Sequence, residues 1–147
     1  DMTMENVMYV TREMMDYLRG DRQTLSVITE VDGKKQDFFN EQDRFHIVMN
    51  ESLAVALLTN LLKNAFVHNM DGGRIQIIIT KNSITFRNSG SGHPLDEEHI
   101  FERFYQGSKK EGSTGLGLAI ADSICRLQHL NIRYYFEQEE HCFEILK

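Results

Sequence analysis

Three groups of residues have types and spacings that could do chemistry. Asn60 and Asn64 lie four residues apart in the run LLTNLLKNAFVHN, so a helix would carry both amides on one face. Asparagine is a poor helix former, and a pair of them among leucines asks for a reason. An amide oxygen is a hard, neutral ligand of the kind Mg²⁺ accepts beside waters and phosphate oxygens. A pair of hydrogen-bonded structural amides would show the same spacing. The second group is Asn88-Ser89-Gly90-Ser91-Gly92, where glycines let a backbone approach a flat ligand and the Asn88 amide can donate and accept toward a heterocycle edge. An ordinary turn after a strand reads the same way. The third is Gly112-Ser113-Thr114-Gly115-Leu116-Gly117-Leu118, a glycine-rich stretch opening a helix. Free amides and the positive end of the helix dipole would suit an anion there, and a mobile loop with a flexible cap is the alternative. The lysine of a P-loop and a GxGxxG after a strand are both lacking.

The surrounding pattern supplies elements to position these groups. Apolar residues at three- and four-residue steps predict helices over 4–19, 51–68 and 115–130, the second with an apolar face broad enough to bury against a sheet. Pro94 precedes an acidic run that suits a short helix over 95–105. Strands are expected over 25–31, 45–49, 74–80, 83–87, 131–136 and 142–146, with 137–141 as a turn. The sum is a two-layer α/β sandwich, a mixed and mostly antiparallel sheet covered on one face by about three helices.

Composition narrows the function. The 147 residues are 41% hydrophobic and 26% charged, ordinary for one globular domain. A net charge of -6 and a pI near 5.5 argue against a nucleic-acid or anionic-membrane surface. Cys125 and Cys142 have neither metal-ligand spacing nor disulfide-scaffold density, so buried thiols in a reducing compartment are expected.

The order of the three groups, with Phe101-Glu102-Arg103-Phe104-Tyr105 between the second and third, resembles the histidine-kinase branch of the Bergerat-fold ATPases. DNA gyrase, the MutL mismatch-repair proteins and the large heat-shock chaperone share that superfamily. The resemblance makes 60–68 the N box, 88–92 and 112–118 the two glycine boxes, and 101–105 the F box. It implies ATP and Mg²⁺ as cofactors, with Asn64 as the metal ligand. It puts Asn60 where hydrolytic relatives place a glutamate base, so that water is not activated and the γ-phosphoryl is kept for a protein nucleophile. Asn88 would accept from the adenine amine in place of the family's aspartate, Gly90 and Gly92 would floor the base, and 106–114 would be the ATP lid. His68, Phe101, Arg103, Phe104, Tyr105, Thr114, Gly115, Leu116, Gly117 and Leu118 complete the implied ATP contacts, with Arg103 counted among the catalytic residues beside Asn60 and Asn64.

Two departures shape the expected activity. The lysine usual three residues after the second N-box asparagine is Val67, and the usual aspartate is Asn88, so weak nucleotide affinity is expected. None of His46, His68, His93, His99, His129 and His141 carries the family's phosphoacceptor signature. The implied function is a single histidine-kinase-type domain over 1–147, with 1–20 as a connecting helix. It would bind Mg²⁺-ATP and pass the γ-phosphoryl to a histidine on a separate dimerisation and phosphoacceptor domain, with a response regulator downstream. Alone it would bind ATP and transfer nothing. The resemblance implies a cytoplasmic domain without nucleic-acid or membrane contact, and leaves open whether the parent protein is anchored in the inner membrane. An anti-sigma-type serine kinase and a degenerate nucleotide-sensing or docking module are the rival readings.

Overall fold

The computed structural model describes residues 24–31, 34–36, 45, 47–68, 73–90, 94–102 and 116–147. Within them, six strands, β1 (Thr24–Val31), β2 (Lys34–Gln36), β3 (Arg74–Ile79), β4 (Ser83–Ser89), β5 (Asn131–Glu137) and β6 (Glu140–Leu146), form one sheet in the order β2-β1-β3-β4-β6-β5. Only β1 and β3 pair in parallel. A parallel pair requires a crossover, and the intervening chain contains helix α1 (Glu51–His68). The second described helix, α2 (Gly117–Leu127), packs against α1, and α1 against β4. The two-layer, mostly antiparallel architecture expected from the sequence is therefore present.

Cross-strand register sorts the helix-facing side of the sheet into rows. Ile79, Ile84, Ile145 and Ile132 form one, and Ile77, Phe86, Phe143 and Tyr134 the next. Side chains alternate faces along each strand, and these rows meet Ala54, Leu57, Leu58, Leu61, Leu62, Ala65 and Phe66 of α1 in one core. The third row reads Ile75, Asn88, His141 and Phe136. There two polar residues interrupt the apolar surface.

The opposite face carries charge. Glu140, almost fully buried, takes Arg74 of β3 at 3.2 Å and Arg87 of β4 at 3.4 Å. Thr85 donates to Glu144 at 3.2 Å, and Arg133 also pairs with Glu144. Cys125 and Cys142 are free and buried, and burial pushes their thiols up to about 12 and about 11, leaving them as apolar core atoms at neutral pH.

Element ends differ from expectation for local reasons. Among the described residues of the 45–49 run, Ile47 alone makes a bridge. Phe45 and Met49 are buried, but Asn50 already caps α1, its side chain accepting Leu53 N–H at 3.2 Å, so the chain turns into helix instead of pairing. Residues 97–101 are turns rather than the first part of a helix over 95–105. Asp96 draws in the amides of Glu98 and Ile100, and so short a segment has no stable helical nucleus. The remaining residues of that expected helix, like the helix over 4–19, lie outside the described residues.

Helix α2 ends before Leu130. Its stop is a Schellman arrangement, with His129 at φ 57 and Leu130 N–H bonded to Cys125 O at 2.8 Å, where glycine would be usual. Gln138 and Glu139 hold φ 52 and 62 between β5 and β6, as a type I′ hairpin turn requires. Strand β6 therefore starts at Glu140, and His141 belongs to the sheet rather than to a turn. The three-residue strand β2 had no counterpart in the sequence reading.

Left-handed conformations cost non-glycine residues about 1–2 kcal/mol, and glycine returns part of that gain through chain entropy. His129→Gly and Glu139→Gly are each expected to raise stability by about 0.5–1 kcal/mol, read as higher urea midpoints with unchanged m-values. Leu61→Ala, in the centre of the core, is expected to cost about 2–5 kcal/mol.

Candidate functional site

The interrupted row marks the site. Asn88 is 1% exposed, on the helix-facing side at the end of β4. Its Nδ2 donates to the carbonyl of Ser89 at 2.8 Å. A carbonyl only accepts, so this bond fixes which amide atom is which. The other atom, Oδ1, is buried without a hydrogen-bond partner. Among the described residues, only Arg87 Nε shares that condition, and the Arg87 guanidinium already pairs with Glu137 and Glu140 through its other nitrogens. An unsatisfied buried acceptor costs about 1–3 kcal/mol, and for Asn88 nothing in the fold returns that cost.

His141 is the cross-strand partner of Asn88 and is 6% exposed. Its Nδ1 lies 2.7 Å from Tyr134 Oη, which also accepts the Leu95 N–H at 2.9 Å. Burial holds the imidazole below its ordinary pKa, so it is neutral at pH 7. A Cβ added at Gly90 would overlap the Cδ2–Nε2 edge of this ring. Gly90 is therefore required for a specific reason, the close approach of His141 to its bare backbone.

A second cluster forms where α1 meets the start of α2. Asn60 donates to Ala56 O at 2.8 Å, a back-bond within the helix. Its Oδ1 faces Gly117, where an added Cβ would come within 3.2 Å. Asn64 is half-buried one turn further along α1, with His68 at the helix end and Val67 half-buried between them. Leu116, at the N-cap of α2, supplies no side-chain capping bond, and the first turn carries no acidic residue. Among the described residues, neither a capping side chain at Leu116 nor an acidic residue of the first turn offsets the positive end of the α2 dipole.

The structure thus brings His141 to Gly90, and Asn60 to Gly117, with Leu118 half-buried in α2. Phe101 is half-buried. Its ring packs edge-on against Phe143 at 6.2 Å, in the core. Gly92, Arg103, Phe104, Tyr105, Thr114, Gly115 and the expected lid at 106–114 lie outside the described residues. His99 sits on the exposed turn, 2.6 Å from Asp96. Their hydrogen bond raises the His99 pKa and lowers that of Asp96.

Sequence reading missed His141 and Tyr134 as site residues. The signal was available. His141 falls in period with Phe143 and Ile145, the alternation of a strand facing the core.

Comparisons with known proteins agree with the fold. Residues 49–145 match the family described as histidine kinase-, DNA gyrase B-, and HSP90-like ATPase. The chain is 36% identical over 114 residues to the sensor histidine kinase YvrG of Bacillus subtilis, covering 69% of this chain and 20% of that protein. To the heme sensor protein HssS of Staphylococcus aureus it is 37% identical over 108 residues, covering 70% of this chain and 24% of that protein. The chain spans only about a fifth to a quarter of these relatives' length. Among solved structures, the mycobacterial sensor histidine kinase MprB matches with a TM-score of 0.76 at 18% identity, covering 97% of this chain and 93% of that one. The catalytic domain of the histidine kinase ThkA matches at 0.74 and 20% identity, covering 96% and 88%.

The depressed His141 pKa has a definite sign. The unfolded chain takes up a proton near pH 6.5 before the folded one does, so the neutral ring's contribution is complete above that value and lost as pH falls through the folded pKa. The urea midpoint should fall more from about pH 7 to about pH 5 in the wild-type chain than in His141→Gln, and equal slopes would remove this assignment. Gly90→Ala is expected to cost about 1–3 kcal/mol by overpacking, and clearly less in a His141→Ala background.

Proposed function

Since the chain belongs to the histidine kinase-, DNA gyrase B- and HSP90-like ATPases, with sensor histidine kinases as its relatives, we propose that it binds Mg²⁺-ATP and donates the γ-phosphoryl to a histidine of a separate phosphoacceptor domain. The observation that carries this reading is the unpartnered Oδ1 of Asn88. A buried acceptor at the end of β4, beside a glycine turn, is complementary to the exocyclic amine of adenine. The cost of desolvating that oxygen is already met in folding, so an arriving donor gains most of a full hydrogen bond.

The phosphates would lie toward α2. The N-terminal end of α2, without a side-chain cap from Leu116, and the absence of a side chain at Gly117 suit oxyanions approaching along the helix axis. Mg²⁺, taken up through the Asn64 amide oxygen with phosphate oxygens, would supply charge neutralisation there. Asn60 stands beside this helix end as a carboxamide. It has no proton to take or give, so it does not activate water for hydrolysis. In the transfer, a ring nitrogen of the acceptor histidine bonds to the γ-phosphorus as the bond to the β,γ-bridging oxygen breaks and ADP leaves. Positioning and charge neutralisation carry the rate. Arg103, Phe104, Tyr105, Thr114 and Gly115 enter this reading through the order of the motifs, as does the lid.

The phosphoacceptor domain, a response regulator as downstream partner, and a cytoplasmic setting belong to the same proposal. Among the described residues, no helix is long and apolar enough to cross a membrane.

Calorimetric titration with Mg²⁺-ATP tests the reading, and weak saturable binding is expected. Asn64→Ala should lose the Mg²⁺ dependence of affinity, and Asn88→Ala the preference for ATP over GTP. With labelled ATP, the chain alone should incorporate no phosphate, while a cognate phosphoacceptor fragment becomes labelled. Absence of binding at millimolar nucleotide would favour a docking module instead.

A further inference from the structure

Asn88 depends on the residue after it. Its Nδ2 donates to the Ser89 carbonyl at 2.8 Å, which leaves Oδ1 as the orphaned acceptor. Turned over, the amide would set oxygen against carbonyl oxygen and leave its NH₂ as the orphan, a donor in place of an acceptor. The orientation of the Ser89 carbonyl therefore decides which of the two is presented.

That carbonyl belongs to the last residue of β4, and a side chain holds it there. The register of β3 with β4 closes at Ile75↔Asn88. At the next step the Ser89 hydroxyl accepts the Arg74 N–H at 2.9 Å and donates to the Arg74 carbonyl at 3.3 Å. One hydroxyl thus engages both backbone groups of Arg74, in the manner of one more rung. On its other side Ser89 pairs with Glu140 of β6, and the Arg74 guanidinium reaches Glu140 at 3.2 Å. Ser89 is fixed from both neighbouring strands where β4 gives way to the glycine turn.

We propose that Ser89 is a positioning residue of the nucleotide site: by bonding the Arg74 backbone, its hydroxyl fixes the carbonyl that orients the Asn88 amide, and so sets the preference for adenine over guanine. The inference rests on the ATP-site reading above. A fixed acceptor suits the adenine amine, whereas guanine brings a carbonyl to the same place and oxygen would face oxygen. Buried polar groups left facing their own kind are costly, which is the basis of rejection. Without the hydroxyl, the Arg74 groups turn to water at this exposed strand end, the Ser89 carbonyl is released, and the Asn88 amide samples both orientations. The turned-over amide accommodates guanine, so discrimination falls while binding persists.

Calorimetric titrations of wild type, Ser89→Ala and Ser89→Thr with Mg²⁺-ATP and Mg²⁺-GTP test this. Ser89→Ala should lower the ratio of the two affinities by about threefold to tenfold, the worth of one neutral hydrogen bond. Ser89→Thr keeps the hydroxyl and should keep the ratio. A merely structural serine would weaken both nucleotides alike and leave the ratio unmoved. Without nucleotide, NMR should show the Asn88 side-chain NH₂ protected from solvent exchange in wild type and Ser89→Thr, and exchanging faster in Ser89→Ala. An unchanged ratio in Ser89→Ala, a threonine variant no better than alanine, or equal protection in all three chains overturns the inference, while the loss of preference in Asn88→Ala still upholds the site. A wild-type chain that binds neither nucleotide, or an Asn88→Ala chain that keeps the preference, overturns the site reading and the inference with it.

Discussion

The site depends on the register between β4 and β6. Asn88 and His141 face each other only when the strands pair from Ser83↔Leu146 to Ser89↔Glu140. Side chains alternate faces, so a slip of one residue would turn one of the two strands inside out. Were β4 the strand to move, Arg87 would replace Asn88 on the core face, a charge that no apolar row could accommodate. The register is held from both sides of the sheet. On the helix side, Ile84 and Phe86 of β4 oppose Ile145 and Phe143 of β6. On the other, Glu140 is braced by Arg74 and Arg87 from two different strands. Removing one partner of so buried a group leaves an uncompensated charge, so the brace penalises alternative pairings even where its net stabilisation is modest.

The two ends of the candidate site are positioned by separate parts of the core. The sheet places Asn88, Gly90 and His141. The packing of α1 against α2 places Asn60 beside Gly117 at the start of α2. Asn60 and Asn64 lie on the flank of the α1 stripe that buries Leu57, Leu61 and Ala65, close enough to the core to be oriented and far enough from it to be available. Each end breaks a local rule of stability, one with an orphaned acceptor and the other with a helix start that lacks a side-chain cap from its N-cap residue. Such conflicts concentrate where a fold serves a ligand rather than itself.

The elements legible in the sequence were those whose signal is periodic and internally consistent. Helix α1, with its broad apolar stripe, appeared at the expected residues, and the Arg74–Ile79 and Ser83–Ser89 hairpin followed from alternation around Lys81 and Asn82. The ends of elements were less legible. His129, Gln138 and Glu139 take positive φ without being glycine, so the usual punctuation was missing and α2 was drawn too long and β6 too short. Misplacing the start of β6 assigned His141 to a turn and hid its pairing with Asn88. The acidic run before Ile100 has the composition of a helix start, yet its side chains and amides bond within a single turn.

By itself, the sequence determined the layer architecture, the order of the motifs and the residue types available to the candidate site. These depend on periodicity and composition, which are local. Only the tertiary structure decided that Asn88 keeps an unpartnered oxygen, that Gly90 is glycine because an imidazole lies against it, and that Tyr134 and His141 stand beside Asn88. Those facts join residues more than forty positions apart through strand register, and register comes from the summed packing of both faces of the sheet. No run of neighbouring residues carries that information.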